Sequence, residues 1–205
     1  TPSNATAEVV LADGSVVSVN AGSRLVYPQK FTGATREVEL QGEAYFKVKH
    51  DERYPFIVKA NGISTKVLGT EFNVDASDAS HPHVTLVEGS VSVSSVSHHM
   101  NKVIVPGEDA ALNVQGEIKV SHVDTNDVAC WREGIELFDD VSLRDILVQM
   151  GSWYNVSVVC HDDAVLNTHL RYMYDRKQGL EEAVKMLNQI SNNKIKLHNN
   201  TILVE

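Results

Sequence analysis

The 205-residue chain is poor in several things at once. It holds two cysteines, Cys130 and Cys160, with no Cys-x-x-Cys, so neither a disulfide framework nor a zinc site is signalled. A single Cys130–Cys160 bridge in an oxidising compartment and two buried small hydrophobes both remain open readings. No stretch approaches the ~20 apolar residues of a membrane helix. Basic residues are outnumbered, 18 Lys and Arg against 27 Asp and Glu, for a formal charge of -9. That balance argues against a protein that tracks nucleic-acid phosphates, which needs a clustered basic surface. There is no initiator Met and no signal-peptide pattern before Thr1-Pro2-Ser3-Asn4, so the chain reads as a fragment. Aromatics make up only 6%. Against these shortages stand 42% hydrophobic residues, enough for a packed core, and 30 valines, which lean toward β-structure.

The first ~120 residues read as short strands at close spacing. Turn signals punctuate them at Asp13-Gly14, Gly22, Gly42, Asn61-Gly62, Gly89, Pro106-Gly107 and Gln115-Gly116. Phe56-Ile57-Val58 and Thr65-Lys66-Val67-Leu68 are expected to form a hairpin across Asn61-Gly62. Val84 to Val87 is expected to meet Val91-Ser92-Val93 across Glu88-Gly89-Ser90. This part is expected to be a mainly β domain over 1–125, as a sandwich or a stacked short-strand sheet. The character then changes. Ser142 and Asp145 resemble a capping box ahead of Leu143, Ile146, Leu147 and Met150, an apolar stripe at helical spacing. Leu180, Ala183, Val184, Leu187 and Ile190 repeat the stripe, with Glu181 and Glu182 in the first turn. Strands are expected at 135–138, 155–159, 168–174, 194–197 and 201–204. The order predicts a small α+β domain over 126–205, with split βαβ repeats on one small sheet.

Chemistry is thinly signalled. His81-Pro82-His83 and His98-His99 are the only histidine clusters, and neither has a Cys or carboxylate at recognised ligand spacing, so both read as surface loop histidines. No metal and no cofactor is expected. Asp139-Asp140 and Asp162-Asp163 read as capping or solvated carboxylates. No Gly-x-Ser-x-Gly elbow, phosphate loop or His-Glu-x-x-His occurs, so ordinary enzyme activity is not expected. Gly69-Thr70 keeps one chemical option. In a strained turn the Thr70 hydroxyl can attack the Gly69 carbonyl, and hydrolysis of the resulting ester cuts the chain. The alternative is a glycine that permits a bulge between strands.

A run of motifs stands in order along the chain: Leu11-Ala12-Asp13-Gly14-Ser15, Leu25-Val26-Tyr27-Pro28, the run Arg36 to Val48 with Gly42-Glu43-Ala44-Tyr45-Phe46 inside it, and Pro55-Phe56-Ile57-Val58. Val67-Leu68-Gly69-Thr70-Glu71-Phe72-Asn73-Val74, Thr85 to Val91 and Val105-Pro106-Gly107-Glu108 follow. Together they resemble the motifs of the FecR-like anti-sigma regulators of Gram-negative bacteria, especially the Bacteroidetes. Trp131-Arg132-Glu133-Gly134, Phe138 and Tyr154-Asn155-Val156 resemble the small domain that comes next in these proteins, similar to the secretin/TonB short N-terminal fold. The resemblance implies a periplasmic signalling domain of a regulator anchored in the inner membrane by one span. Its implied partners are the N-terminal signalling domain of a TonB-dependent outer-membrane transporter and, through a cytoplasmic segment absent here, an extracytoplasmic-function sigma factor. It also implies self-cleavage in some members at the bond matched by Gly69-Thr70. Docking is expected by β-augmentation on an exposed edge, with Thr201, Ile202, Leu203 and Val204 as the candidate strand. The competing reading is a periplasmic carbohydrate-binding β-domain with an accessory α/β module, with Tyr27, Tyr45, Phe46 and Tyr54 as candidate stacking aromatics. A hydrolase is a third reading, without a motif.

Overall fold

In the computed structural model, residues 1–97, 100–160, 163–191 and 194–204 are described. The chain divides into two compact units, Thr1–Ala129 and Cys130–Glu205.

Among the described residues of the N-terminal unit, the regular structure is all strand apart from a final short helix. Its strands are β1 (Ala7–Val10), β2 (Val16–Val19), β3 (Arg24–Val26), β4 (Arg36–Lys47), β5 (Phe56–Ala60), β6 (Ile63–Val67), β7 (Glu71–Ala76), β8 (His83–Glu88), β9 (Val91–Ser95), β10 (Asn101–Ile104), β11 (Glu108–Leu112) and β12 (Ile118–His122), followed by α1 (Thr125–Ala129). The long strand β4 belongs to two layers. Its first part pairs with β3 and, in parallel, with β5; from Ala44 to Lys47 it pairs with β2 and β7. The hydrogen-bonded order β10-β9-β6-β5-β4-β7-β8-β11-β12 therefore bends at β4. Gly42 is where it bends. Its φ of +89° suits glycine, and a Cβ there would run into Ser23. Alternation then does the rest. Val38, Leu40, Phe56, Val58, Ile63, Val91 and Val93 from one arm, with Phe46, Phe72, Val74, Val84 and Leu86 from the other, bury into one core. Phe46 stacks on Phe72 at 5.1 Å between ring centroids. This is a sandwich whose layers share a strand.

The β5–β6 hairpin forms at Asn61 and Gly62, with φ of 36° and 82°, the left-handed pair that a two-residue turn needs. The expected β8–β9 hairpin does not form. β8 pairs with β7 and β11, whereas β9 pairs with β6 and β10. Glu88-Gly89-Ser90 instead carries the chain from one layer to the other. Period-2 alternation orients side chains but does not choose a strand's partner.

The C-terminal unit contains β13 (Ile135–Ser142), α2 (Leu143–Tyr154), β14 (Ser157–Cys160), α3 (Asp163–Leu166), β15 (His169–Asp175), α4 (Leu180–Ser191), β16 (Ile195–His198) and β17 (Thr201–Val204), preceded by a 3-10 turn, Cys130–Glu133. Ser142 caps α2 as its pattern predicts. The Asp145 amide donates to Ser142 Oγ at 3.2 Å, and that hydroxyl donates to the Asp145 carboxylate at 2.5 Å. Leu143, Ile146, Leu147 and Met150 are fully buried, and Ala183, Val184 and Leu187 of α4 join them. Ile190, expected on the same stripe, is largely exposed because it lies in the last turn, beyond the packed face. The strands make two sheets rather than one: an antiparallel pair β13-β15, and β14-β17-β16 with β14 parallel and β16 antiparallel to β17.

Candidate functional site

The β14-β17-β16 sheet corrects the expected docking strand. Thr201, Ile202, Leu203 and Val204 form β17, which lies between β14 and β16. Its backbone groups are engaged on both sides, and Ile202 and Val204 are fully buried. It cannot accept another strand. The edges of that sheet are β14 and β16, and last in sequence did not mean outermost in space.

A second feature of this unit is built on Arg176. Its guanidinium lies 3.5 Å from the centre of the Trp153 ring, a stacked cation–π contact. Nη2 donates to the Trp131 carbonyl at 2.8 Å and Nη1 lies 3.3 Å from Glu136 Oε1. The Arg176 amide donates to the Gly134 carbonyl at 2.8 Å, and Tyr154 Oη donates to the Arg176 carbonyl at 3.2 Å. Burial pushes the Glu136 carboxyl up, while Arg176 and the amide of Gln149, 3.1 Å away, pull it back. One arginine thus ties the entry segment 131–134 to β13 and α2.

In the N-terminal unit the face of β4, β7, β8 and β11 turned away from the core carries a polar row. Asn20 and Asn73 each donate to the Glu43 carboxylate, at 2.7 and 2.9 Å. His83 Nδ1 lies 2.9 Å from Asp109 Oδ1 and its Nε2 lies 3.6 Å from Asp75, while Thr85 donates to Asp109 at 2.6 Å. Asn73, Thr85 and Asp109 are buried although they face away from the core; α1 lies against β8. Burial alone would lower the His83 pKa, but Asp109 and Asp75 outweigh it and hold the imidazolium up to about 10. Burial and the neighbouring Asp75 raise Glu43. His83 is therefore no loop histidine, whereas His81, exposed and 3.0 Å from Asp78, is one. His98-His99 lies outside the described residues. The signal for His83 was the alternation Asn73-Val74-Asp75 beside His83-Val84-Thr85, in which the apolar residue takes the core and both flanking polar residues share the other face.

This row makes stability pH-dependent. A histidine whose folded pKa exceeds its ordinary 6.5 stabilises the fold fully below 6.5 and loses that contribution as pH rises through about 10. Urea midpoints of the intact chain should therefore fall between pH 6.5 and 10, and the His83→Ala chain should lose that part of the slope. At pH 6 the substitution should cost about 2–3 kcal/mol, between the values for exposed and buried pairs. Unchanged midpoints in the variant would contradict the ion-pair account.

Gly69 and Thr70 connect β6 to β7. A Cβ on Gly69 would sit 2.5 Å from His50 Cα, so the glycine is needed for two chain segments to touch. Thr70 is buried, its hydroxyl donates to the Ser90 carbonyl at 3.1 Å, and its carbonyl accepts from the Val48 amide at 3.0 Å. Gly69 does not have a positive φ. Of the other paired carboxylates, Asp139 lies 3.7 Å from Arg171 and Asp140 lies 3.1 Å from His169, while Asp162 lies outside the described residues. Among the described residues, no group of three or more His, Cys, Asp or Glu is placed to hold a metal ion. Tyr45 and Phe46 are packed inside the fold, which leaves Tyr27 and Tyr54 as the exposed members of the proposed stacking set.

Residues 1–129 match the family model described as FecR protein, and residues 137–204 match that of the FecR C-terminal domain. The chain belongs to the FecR family. The FecR-family fold is also seen in two crystal structures of a candidate anti-sigma factor from Parabacteroides distasonis ATCC 8503. One is 28% identical with a TM-score of 0.84, aligning 100% of this chain with 96% of that one. The other is 29% identical with a TM-score of 0.84, aligning 100% with 95%. No curated protein matches. Among the described residues of this FecR-family chain, no helix is long and apolar enough to cross a membrane.

Proposed function

We propose that this FecR-family chain is the periplasmic, signal-receiving part of an anti-sigma regulator anchored in the inner membrane. It takes its signal from the N-terminal signalling domain of a TonB-dependent outer-membrane transporter. The regulator controls an extracytoplasmic-function sigma factor through a cytoplasmic segment of the parent protein. The observation that carries this reading is the agreement of both units, over the whole chain, with the FecR family and with a candidate anti-sigma factor. The β14-β17-β16 sheet supports it, since an open-edged sheet on a small domain is suited to strand addition. Calorimetric titration of the chain with a transporter's signalling domain should show saturable binding. Binding of glycans with no binding of that domain would overturn the reading.

In the same reading the chain performs no chemistry of its own. Gly69 and Thr70 act as packing residues, because the Thr70 hydroxyl is turned to Ser90 and the carbonyls of Thr70 and Leu68 accept from the amides of Val48 and Asp51. Mass spectrometry of the purified chain and of Thr70→Ala should find the intact mass in each. Two fragments separating between Gly69 and Thr70, present only with Thr70, would show self-cleavage instead.

A further inference from the structure

We propose that the outer edge of β16, with the groove between β16 and α4, is where the C-terminal unit takes an extended segment of its partner, one that alternates apolar and acidic residues. This rests on the receiver reading above and assigns it a place.

The hairpin register makes the edge available. β16 and β17 join through Asn199 and Asn200, both left-handed at φ 44° and 61°, so His198 and Thr201 close the hairpin. Residues of an antiparallel pair alternate between exchanging both backbone bonds with the partner strand and directing them away from it. Ile195 directs them away. Its amide donates to Asn188 Oδ1 and its carbonyl accepts from Asn188 Nδ2, both at 2.7 Å. The Asn188 side chain thus already imitates one rung of an added strand. Leu197, two residues on, has the same orientation, so its N–H and C=O face the groove.

The groove fits such an occupant. It is an open concavity of about 470 Å³ lined by Glu181, Val184, Lys185, Asn188, Gln189 and Leu197. Val184 and Leu197 form an apolar floor that would receive every second side chain of the incoming segment. The intervening side chains would stand on the opposite face, beside Lys196 and His198. Lys194 and Lys196 are both exposed. Opposite charges across neighbouring strands stabilise the pairing, and this selects acidic residues at those positions. An edge guarded by lysines also disfavours pairing with a second copy of itself, which brings lysines together.

The test uses the full chain and two probes: a transporter signalling domain, and a ten-residue acetylated peptide alternating valine with glutamate. Hydrogen exchange of the Leu197 amide, followed by NMR, should slow at least tenfold when either is added. Two variants separate the edge from a folding defect. Leu197→Pro removes the outward N–H, as an edge strand tolerates, together with the Leu197 side chain on the groove floor, and Lys196→Glu reverses the charge. Each should weaken both probes at least tenfold while leaving the fluorescence of Trp131 and Trp153 unchanged, and a valine–lysine peptide should bind at least tenfold more weakly. If the signalling domain binds wild type and both variants alike, the edge assignment is overturned and the receiver reading stands. If the domain fails to bind but the acidic peptide protects Leu197, the edge holds and the receiver reading falls. No Leu197 protection by either probe overturns the edge assignment outright.

Discussion

Arg176→Ala should destabilise the C-terminal unit by about 3–5 kcal/mol, the range for leaving one partner of a buried ion pair alone. Glu136 and Arg176 are each nearly enclosed, with side-chain exposures of 7% and 13%. Removing the guanidinium strips Glu136 of the cation that offsets its burial and frees the Trp131 carbonyl, while the Gly134 carbonyl keeps only the bond from the backbone amide of residue 176. It also uncovers the face of Trp153. Arg176→Lys should recover only part of the loss, because an ammonium cannot stack on the ring and reach both carbonyls. The chain's two tryptophans both contact this arginine, through the Trp131 carbonyl and the Trp153 ring, so fluorescence-detected urea unfolding reads this unit directly. A midpoint equal to wild type would show that the tie contributes little.

Gly69→Ala should be among the most damaging small substitutions in the N-terminal unit. The new methyl would lie 2.5 Å from His50 Cα and 2.6 Å from its Cβ, so the obstacle is a neighbouring backbone rather than a movable side-chain end. Over-packing of this kind costs typically ~1–3 kcal/mol, and the upper part of that range is expected where backbone must move. Thr70→Ala, by comparison, removes one hydrogen bond to Ser90 and should cost ~1 kcal/mol. Calorimetric melting of the two variants should give this order. A Thr70→Ala chain less stable than Gly69→Ala would argue that the hydroxyl, rather than the close approach, is what this dipeptide supplies.

These two sites also mark how far local pattern carries. The Asn61-Gly62 turn, the Ser142 cap and the Leu143–Met150 stripe were legible because each is decided within about one turn of chain. The mainly β unit followed by a small α+β unit was legible for the same reason, summed over many short segments. Strand partners were not. Glu88-Gly89-Ser90 has the composition of a hairpin turn, yet β8 and β9 belong to different layers. Thr201–Val204 is the last strand in sequence, yet it is central, because β14 arrives from more than forty residues earlier to pair with it. His83 was hidden for a related reason: Asp75 and Asp109 reach it from separate strands. Arg176 gathers Trp131, Glu136 and Trp153 from three elements, and no spacing along the chain announces that set.

The central claim is that the C-terminal unit is the receiving surface of a FecR-family regulator. Hydrogen exchange across the whole chain, with and without a transporter's N-terminal signalling domain, tests it most directly. The account predicts new protection concentrated at β16 and the facing turns of α4, residues 181–197, with the strands of 36–112 unchanged. Protection confined to 36–112, or none at a saturating concentration of the domain, would contradict it.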